Sequence, residues 1–254
     1  MSPDHRLSTT MMKKLLFITF LFIPTICFSE MVPEEIIKKV DEVRSPQIDY
    51  TTTVQVKNFS ASGEGQNSTF EVLVKGSEKT VIKTILPEVE RGRVLLMRDR
   101  NLWAFFPNVS KPLRLSMQER LTGQVSNGDI ARVNLSGDYT PKLLRKEKIG
   151  DNEYFVVELI AKTPDVTYGK AILWAQVDNF WPLKAEFYAF SGRLIKICSY
   201  DEYKMLPDIM RPTRLVLEDP IVKGKKSIIT YDSITIEELP EKYFLKDYMK
   251  KLVE

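Results

Sequence analysis

Period-two hydrophobic alternation along most of the chain, short connections between the alternating segments, and helical spacing near each end predict a mainly β protein with a few helices. Its centre is expected to be a single long curved antiparallel sheet. Ile48, Tyr50, Thr52, Val54 and Val56 alternate with polar residues, and Phe70, Val72 and Val74 do the same after a Gly/Ser/Asn-rich turn at 62–67. The signature returns at 81–85, 94–97, 102–106, 154–161, 170–177, 183–190, 194–200, 213–218 and 227–236, giving about eleven strands. Turns at 177–180 and 191–193 leave no room for crossovers, so sequential pairing is expected. A meander of that length must close or curl around something, since laid flat it would leave large apolar faces in water. The expected shape is a cup.

The remaining elements follow in order. Ile36, Ile37, Val40 and Val43, with charges between them, give helical spacing that starts beside Pro33 and stops before Pro46, so a helix is expected over 32–43. Residues 94–97 and 102–106 flank turn chemistry at Asp99 to Asn101, and Pro107 stops the second run; the pair reads as a hairpin with Trp103 and Phe105 on one face. Within 183–189, Leu183, Ala185, Phe187 and Ala189 share one face and Lys184, Glu186 and Tyr188 the other. Residues 154–161 likewise present Phe155, Val157, Leu159 and Ala161 together. An irregular loop is expected over 116–142, with glycines 123, 128 and 137 lending it flexibility, and a second helix over 244–253.

The N-terminus reads as a secretory leader: Lys13 and Lys14 precede an apolar run over 15–28 that is interrupted by Pro24 and ends at Ser29. The run is shorter than the roughly 20 residues of a bilayer span. Cleavage after Ser29 is expected, with translation starting at Met1, Met11 or Met12; Cys27 is a poor match to a lipid-attachment site. Residues 30–254 then form one domain of about 225 residues, with no linker dividing it. His5 and Cys27 fall in the leader, so the exported chain would lack histidine, which excludes histidine-based triads and zinc sites. Cys198, left without a partner, reads as a buried packing thiol. Of the net charge of +3, Arg6, Lys13 and Lys14 against Asp4 account for +2, leaving +1 and no basic surplus for nucleic acid.

The segment at 98–139, RDRNLWAFFPNVSKPLRLSMQERLTGQVSNGDIARVNLSGDY, holds an aromatic strand ending in proline, a basic Arg-Leu-Ser stretch and a Gly-rich loop with an acidic residue before the next aromatic. It resembles the signature of the periplasmic outer-membrane lipoprotein-sorting proteins, the LolA-like family, as a divergent branch. Trp103, Pro107, Arg114, Leu115, Ser116, Gly128, Asp129, Asp138 and Tyr139 stand at the matching places, and the ending FLKDYMKKL is similar as well. The resemblance implies an incomplete, half-open β-barrel of LolA/LolB type wrapped around helices. It also implies a periplasmic carrier of acyl chains, from lipoproteins or other lipids, with no catalysis, cofactor or metal.

On that reading Leu96, Trp103, Phe105, Val157, Leu159, Leu173, Leu183 and Phe187 are expected to line the lipid cavity. Arg114 and Asp129 are expected either to pair across its lid or, for Arg114, to meet a lipid head group, with a solvated strand end and a loop-stabilising carboxylate as the plainer alternative. Expected partners are an inner-membrane release or exporter complex and an outer-membrane acceptor, with the carrier itself a monomer. The competing readings are a non-catalytic accessory component of an envelope complex, and a hydrolase built on Asp129 and Asp138.

Overall fold

The computed structural model describes residues 31–45, 48–206 and 208–253, the Ser233 side chain apart. The leader expected over 1–29, with His5 and Cys27, lies outside them. Helix α1 (Pro33–Arg44) carries proline in its first turn, followed there by Glu34 and Glu35, and Arg44 in its last turn, all favourable to the helix termini. Its apolar stripe, Ile36, Ile37 and Val40, is fully buried.

A first meander comprises β1 (Tyr50–Ser60), β2 (Gly63–Glu64), β3 (Ser68–Lys75), β4 (Lys79–Leu86), β5 (Val94–Arg98), β6 (Asn101–Phe105) and β7 (Leu113–Leu115). Next come β8 (Arg120–Thr122), β9 (Val125–Ser126), α2 (Asn127–Ala131) and α3 (Leu135–Asp138). A second meander follows: β10 (Tyr139–Ile149), β11 (Asn152–Ala161), β12 (Lys170–Gln176), β13 (Pro182–Tyr188), β14 (Leu194–Met205), β15 (Met210–Glu218) and β16 (Lys226–Ile236).

Apart from the β8–β9 hairpin, all strands belong to one 14-stranded sheet, ordered β10 through β16, then β1, β3, β4, β5, β6 and β7, with β2 beside β1. The two meanders are joined by β1 and β16, where Tyr50 opposes Ile236 and Phe59 opposes Lys226. Strands β7 and β10 are the edges and do not pair, so the barrel stays open along that seam. Residues 116–138 join the two edges. Laid flat, the thirteen strands on the main path would set those edges on the order of 60 Å apart. A segment folded into a hairpin and two short helices cannot bridge such a gap, so the sheet curls and the segment crosses its concave side. We call it the lid.

The eleven expected strands are present; β2, β7, β8, β9 and β10 are additional. Strand β10 hid in the sequence because it is charged and contains Pro141, features suited to an edge. Two expectations are corrected. The loop over 116–142 ends at Asp138 and holds short regular elements, and the C-terminal helix is a pair of 3-10 turns, Glu241–Phe244 and Lys246–Leu252. Those turns pack on the convex face of β5 and β6, where Phe244 and Met249 are fully buried.

Candidate functional site

The concave face is apolar from one meander to the other. Val157, Leu159, Leu173 and Phe187 of the sheet meet Ile37 and Val40 of α1 in a single core. Met117, Leu121, Val125, Ile130 and Leu135 of the lid close over it. Among the polar contacts that fasten the lid, three centre on buried or nearly buried carboxylates.

In the first, the Asp41 carboxylate on α1 accepts the N–H groups of Leu135 and Ser136 at 2.9 and 2.8 Å, capping α3 from another helix. Burial raises the Asp41 pKa above its ordinary value, against the pull of those two donors. In the second, Arg132 donates to both Asp138 oxygens at 2.6 and 2.9 Å, to Glu78 at 2.8 Å and to the Asp99 carbonyl at 2.7 Å. Arg100 also reaches Asp138, at 3.2 Å. The lid is thereby tied to the β3–β4 and β5–β6 turns, and the Arg132 and Asp138 side chains are each only 5% exposed.

The third contact centres on Asp129 in α2. Its Oδ2 accepts from the Ser126 N–H at 2.8 Å and from Lys196 Nζ at 2.6 Å, and its Oδ1 accepts from the Tyr168 hydroxyl at 2.5 Å. Lys196 projects inward from β14 beside Cys198 and Tyr200 and is 4% exposed. Burial drives the Tyr168 pKa well up, so the hydroxyl stays protonated and able to donate. Burial likewise pushes the Cys198 thiol up to about 12, leaving it inert in this state.

Close contact also explains two lid glycines. A Cβ on Gly128 would sit 1.8 Å from Thr167 Oγ1, and one on Gly123, at φ +51°, would sit 1.8 Å from Asn58 Oδ1. Glycine at these positions marks close seating of the lid.

Beneath the lid are cavities of about 40 and 30 Å³, both touching Arg44. Each holds a few water molecules at most. Side chains therefore fill the cup.

The sequence-predicted residues divide between the two faces. Val157, Leu159, Leu173 and Phe187 lie on the concave side. Leu96, Trp103 and Phe105 do not: they pack on the convex face under the C-terminal turns. Period two establishes that Trp103 and Phe105 share a face, and it says nothing of which face. Leu183 is convex as well, packed near Trp174, because a bulge in the β12–β13 register breaks the alternation that joined it to Ala185 and Phe187. Arg114 and Asp129 do not meet: Arg114 lies opposite Trp103 and donates to Asn101 at 2.7 Å.

Asp129 and Asp138 border one cavity, yet each is bound to its own cation, an arrangement for fastening rather than for acid–base work. Lys196, Tyr168, Arg132 and Asp41 were not singled out by sequence reasoning. A charged residue at an inward position of an otherwise apolar strand face was the available signal for Lys196.

Comparison with known proteins decides the family. LolA superfamily protein NE2245 from Nitrosomonas europaea is 43% identical over 86% of this chain and 100% of its own, with a TM-score of 0.82. The chain belongs to the LolA superfamily. A domain from Vibrio parahaemolyticus whose description names outer-membrane lipoprotein sorting is similar at 20% identity, 86% of this chain, 98% of that one and TM-score 0.73. A DUF1329 family protein from Desulfovibrio piger gives 18%, 85%, 97% and 0.74. At those identities the two bear on the fold alone. A family model described only as an uncharacterized protein matches residues 76–251. No curated protein matches the chain. Within the LolA superfamily fold, the open seam and the lid crossing the concave face are the features that could give access to the interior.

Proposed function

We propose that this LolA superfamily protein is a periplasmic, non-catalytic carrier. Its leader, 1–29, is removed on export, and residues 30–254 shelter acyl chains of lipoproteins or other lipids between the concave face and the lid. An inner-membrane release or exporter complex loads it, and an outer-membrane acceptor unloads it.

The observation that carries this reading is the cover itself: an apolar face spanning both meanders is roofed by short elements held through discrete polar contacts. Magnitudes favour exchange of that cover for cargo. Breaking a buried ion pair costs about 3–5 kcal/mol. Each methylene withdrawn from water contributes about 0.8 kcal/mol, so an acyl chain of about a dozen methylenes gains on the order of 10 kcal/mol, enough to offset the loss of one or two such contacts.

The test is native mass spectrometry with lipid extraction on protein purified from the periplasm, together with titration by a fluorescent acyl probe. Copurifying lipid and saturable probe binding are expected. The closed interior favours one rival, a structural module of an envelope complex; that module would emerge lipid-free and leave the probe unbound.

A further inference from the structure

Resting on the carrier reading, we propose that the surface groove beside the lid is a site for the anionic head group of the cargo, a carboxylate or phosphate that replaces Asp129 on Lys196 and so unlatches the lid. The groove encloses about 380 Å³, far more than the spaces beneath the lid, and is bounded by Arg120, Gln124, Arg193, Lys196, Ile221 and Val222. Lys196 lines it with a nearly buried side chain, and Arg120 and Arg193 line it as exposed residues. Asp219 also lines it, but its carboxylate is committed to the N–H groups of Ile221 and Val222 at 3.0 Å each and to Lys225 at 3.1 Å. Three cations thus face the space against one satisfied carboxylate. Ile221, 75% exposed, and Val222 add an apolar border suited to the start of a hydrocarbon chain.

The ownership of the ammonium's partners gives the groove its mechanism. Lys196 donates to Asp129 at 2.6 Å, to Ser126 Oγ at 3.2 Å and to the Tyr168 hydroxyl. Asp129 and Ser126 belong to the lid, so the sheet supplies the cation and the lid supplies its counter-ion. Lifting the lid strands Lys196 beside an apolar face, a costly state unless another anion takes the place of Asp129. A carboxylate or phosphate arriving through the groove meets that need, and a neutral amphiphile of the same length does not. The head group therefore both selects the cargo and lowers the cost of opening.

The experiment titrates the full exported chain with three fluorescent probes of one chain length: a fatty acid, its methyl ester and a monoacyl phosphate. Wild type is expected to bind both anions at least about tenfold more tightly than the ester, the scale of one charge-assisted hydrogen bond. Lys196→Met should bring the ratio of anion to ester affinity close to one, and Lys196→Arg should restore much of it. Asp129→Asn, which removes the ammonium's counter-charge without altering the groove walls, should raise anion affinity more than ester affinity. Whichever anion binds more tightly identifies fatty-acid or phospholipid chemistry as the source. Equal binding of ester and anions by wild type, or a preference that survives in Lys196→Met, would overturn the head-group site alone. Failure of all three probes to bind would overturn the carrier reading and this inference with it.

Discussion

The molecule covers an apolar sheet face twice, and by different means. On the convex side the C-terminal turns insert Phe244 and Met249, both fully buried, into a cluster with Leu96, Phe105 and Val94, and the polar contacts lie at its part-buried or exposed rim, as in Lys79–Glu241 at 2.5 Å and Lys75 to the Leu239 carbonyl at 2.8 Å. On the concave side the lid adds buried polar contacts, Arg132–Asp138 and Lys196–Asp129, to its apolar packing. Apolar packing accumulates from many small contacts and has no single release point. A buried pair is either made or broken and can be exchanged for an equivalent pair, so chemistry can displace the lid where it cannot displace the C-terminal cover.

The contrast can be broken by mutation. Phe244→Ala should have the largest effect, about 3–5 kcal/mol, from lost burial and a cavity. Denaturant unfolding should register it as a loss of global stability, with Cys198 labelling rising only as far as that loss requires. Disproportionate labelling would mean that the two covers are coupled.

Arg132→Met tests the other side. Stranding Asp138 should cost up to about 3–5 kcal/mol, moderated because Arg100 stays within reach. Because the contact belongs to the lid, thiol labelling of Cys198, the only cysteine among the described residues, should accelerate by more than the fall in global stability accounts for. Labelling that merely tracks global unfolding would deny the lid an opening of its own.

The smallest effect sharpens the comparison through pH. The Asp41 pKa is raised by burial, so the folded state holds the proton more tightly than the unfolded state. The associated stability is fully present below the ordinary aspartate value of 3.8 and is lost as pH rises through the folded-state pKa. Wild type should therefore lose stability relative to Asp41→Asn across that rise, measured by denaturant unfolding at a series of pH values. The opposite slope would mean that the Leu135 and Ser136 donors outweigh burial.

The sheet was legible in the sequence because eleven strands carry alternation, and α1 because its stripe has helical period. Edge strands were not, since β7 is too short and β10 too charged to show a pattern. The candidate site was half legible. Val157, Leu159, Leu173 and Phe187 lie on the face expected of them. Leu96, Trp103 and Phe105 do not, because strands buried on both faces carry no mark of which one is concave. The partners of the lid were hidden by distance along the chain: Asp41 lies 94 residues from Leu135, and Asp129 lies 67 from Lys196. No local period records such pairings.

One peptide segment roofs the concave face and also ties together the two margins of the wall around it. Roof and girth are consequently not independent, and raising the segment slackens the hoop that it closes. Under the proposed carriage, capacity would be set by how far the strap is let out, and guests of unequal bulk would need no empty volume held in reserve.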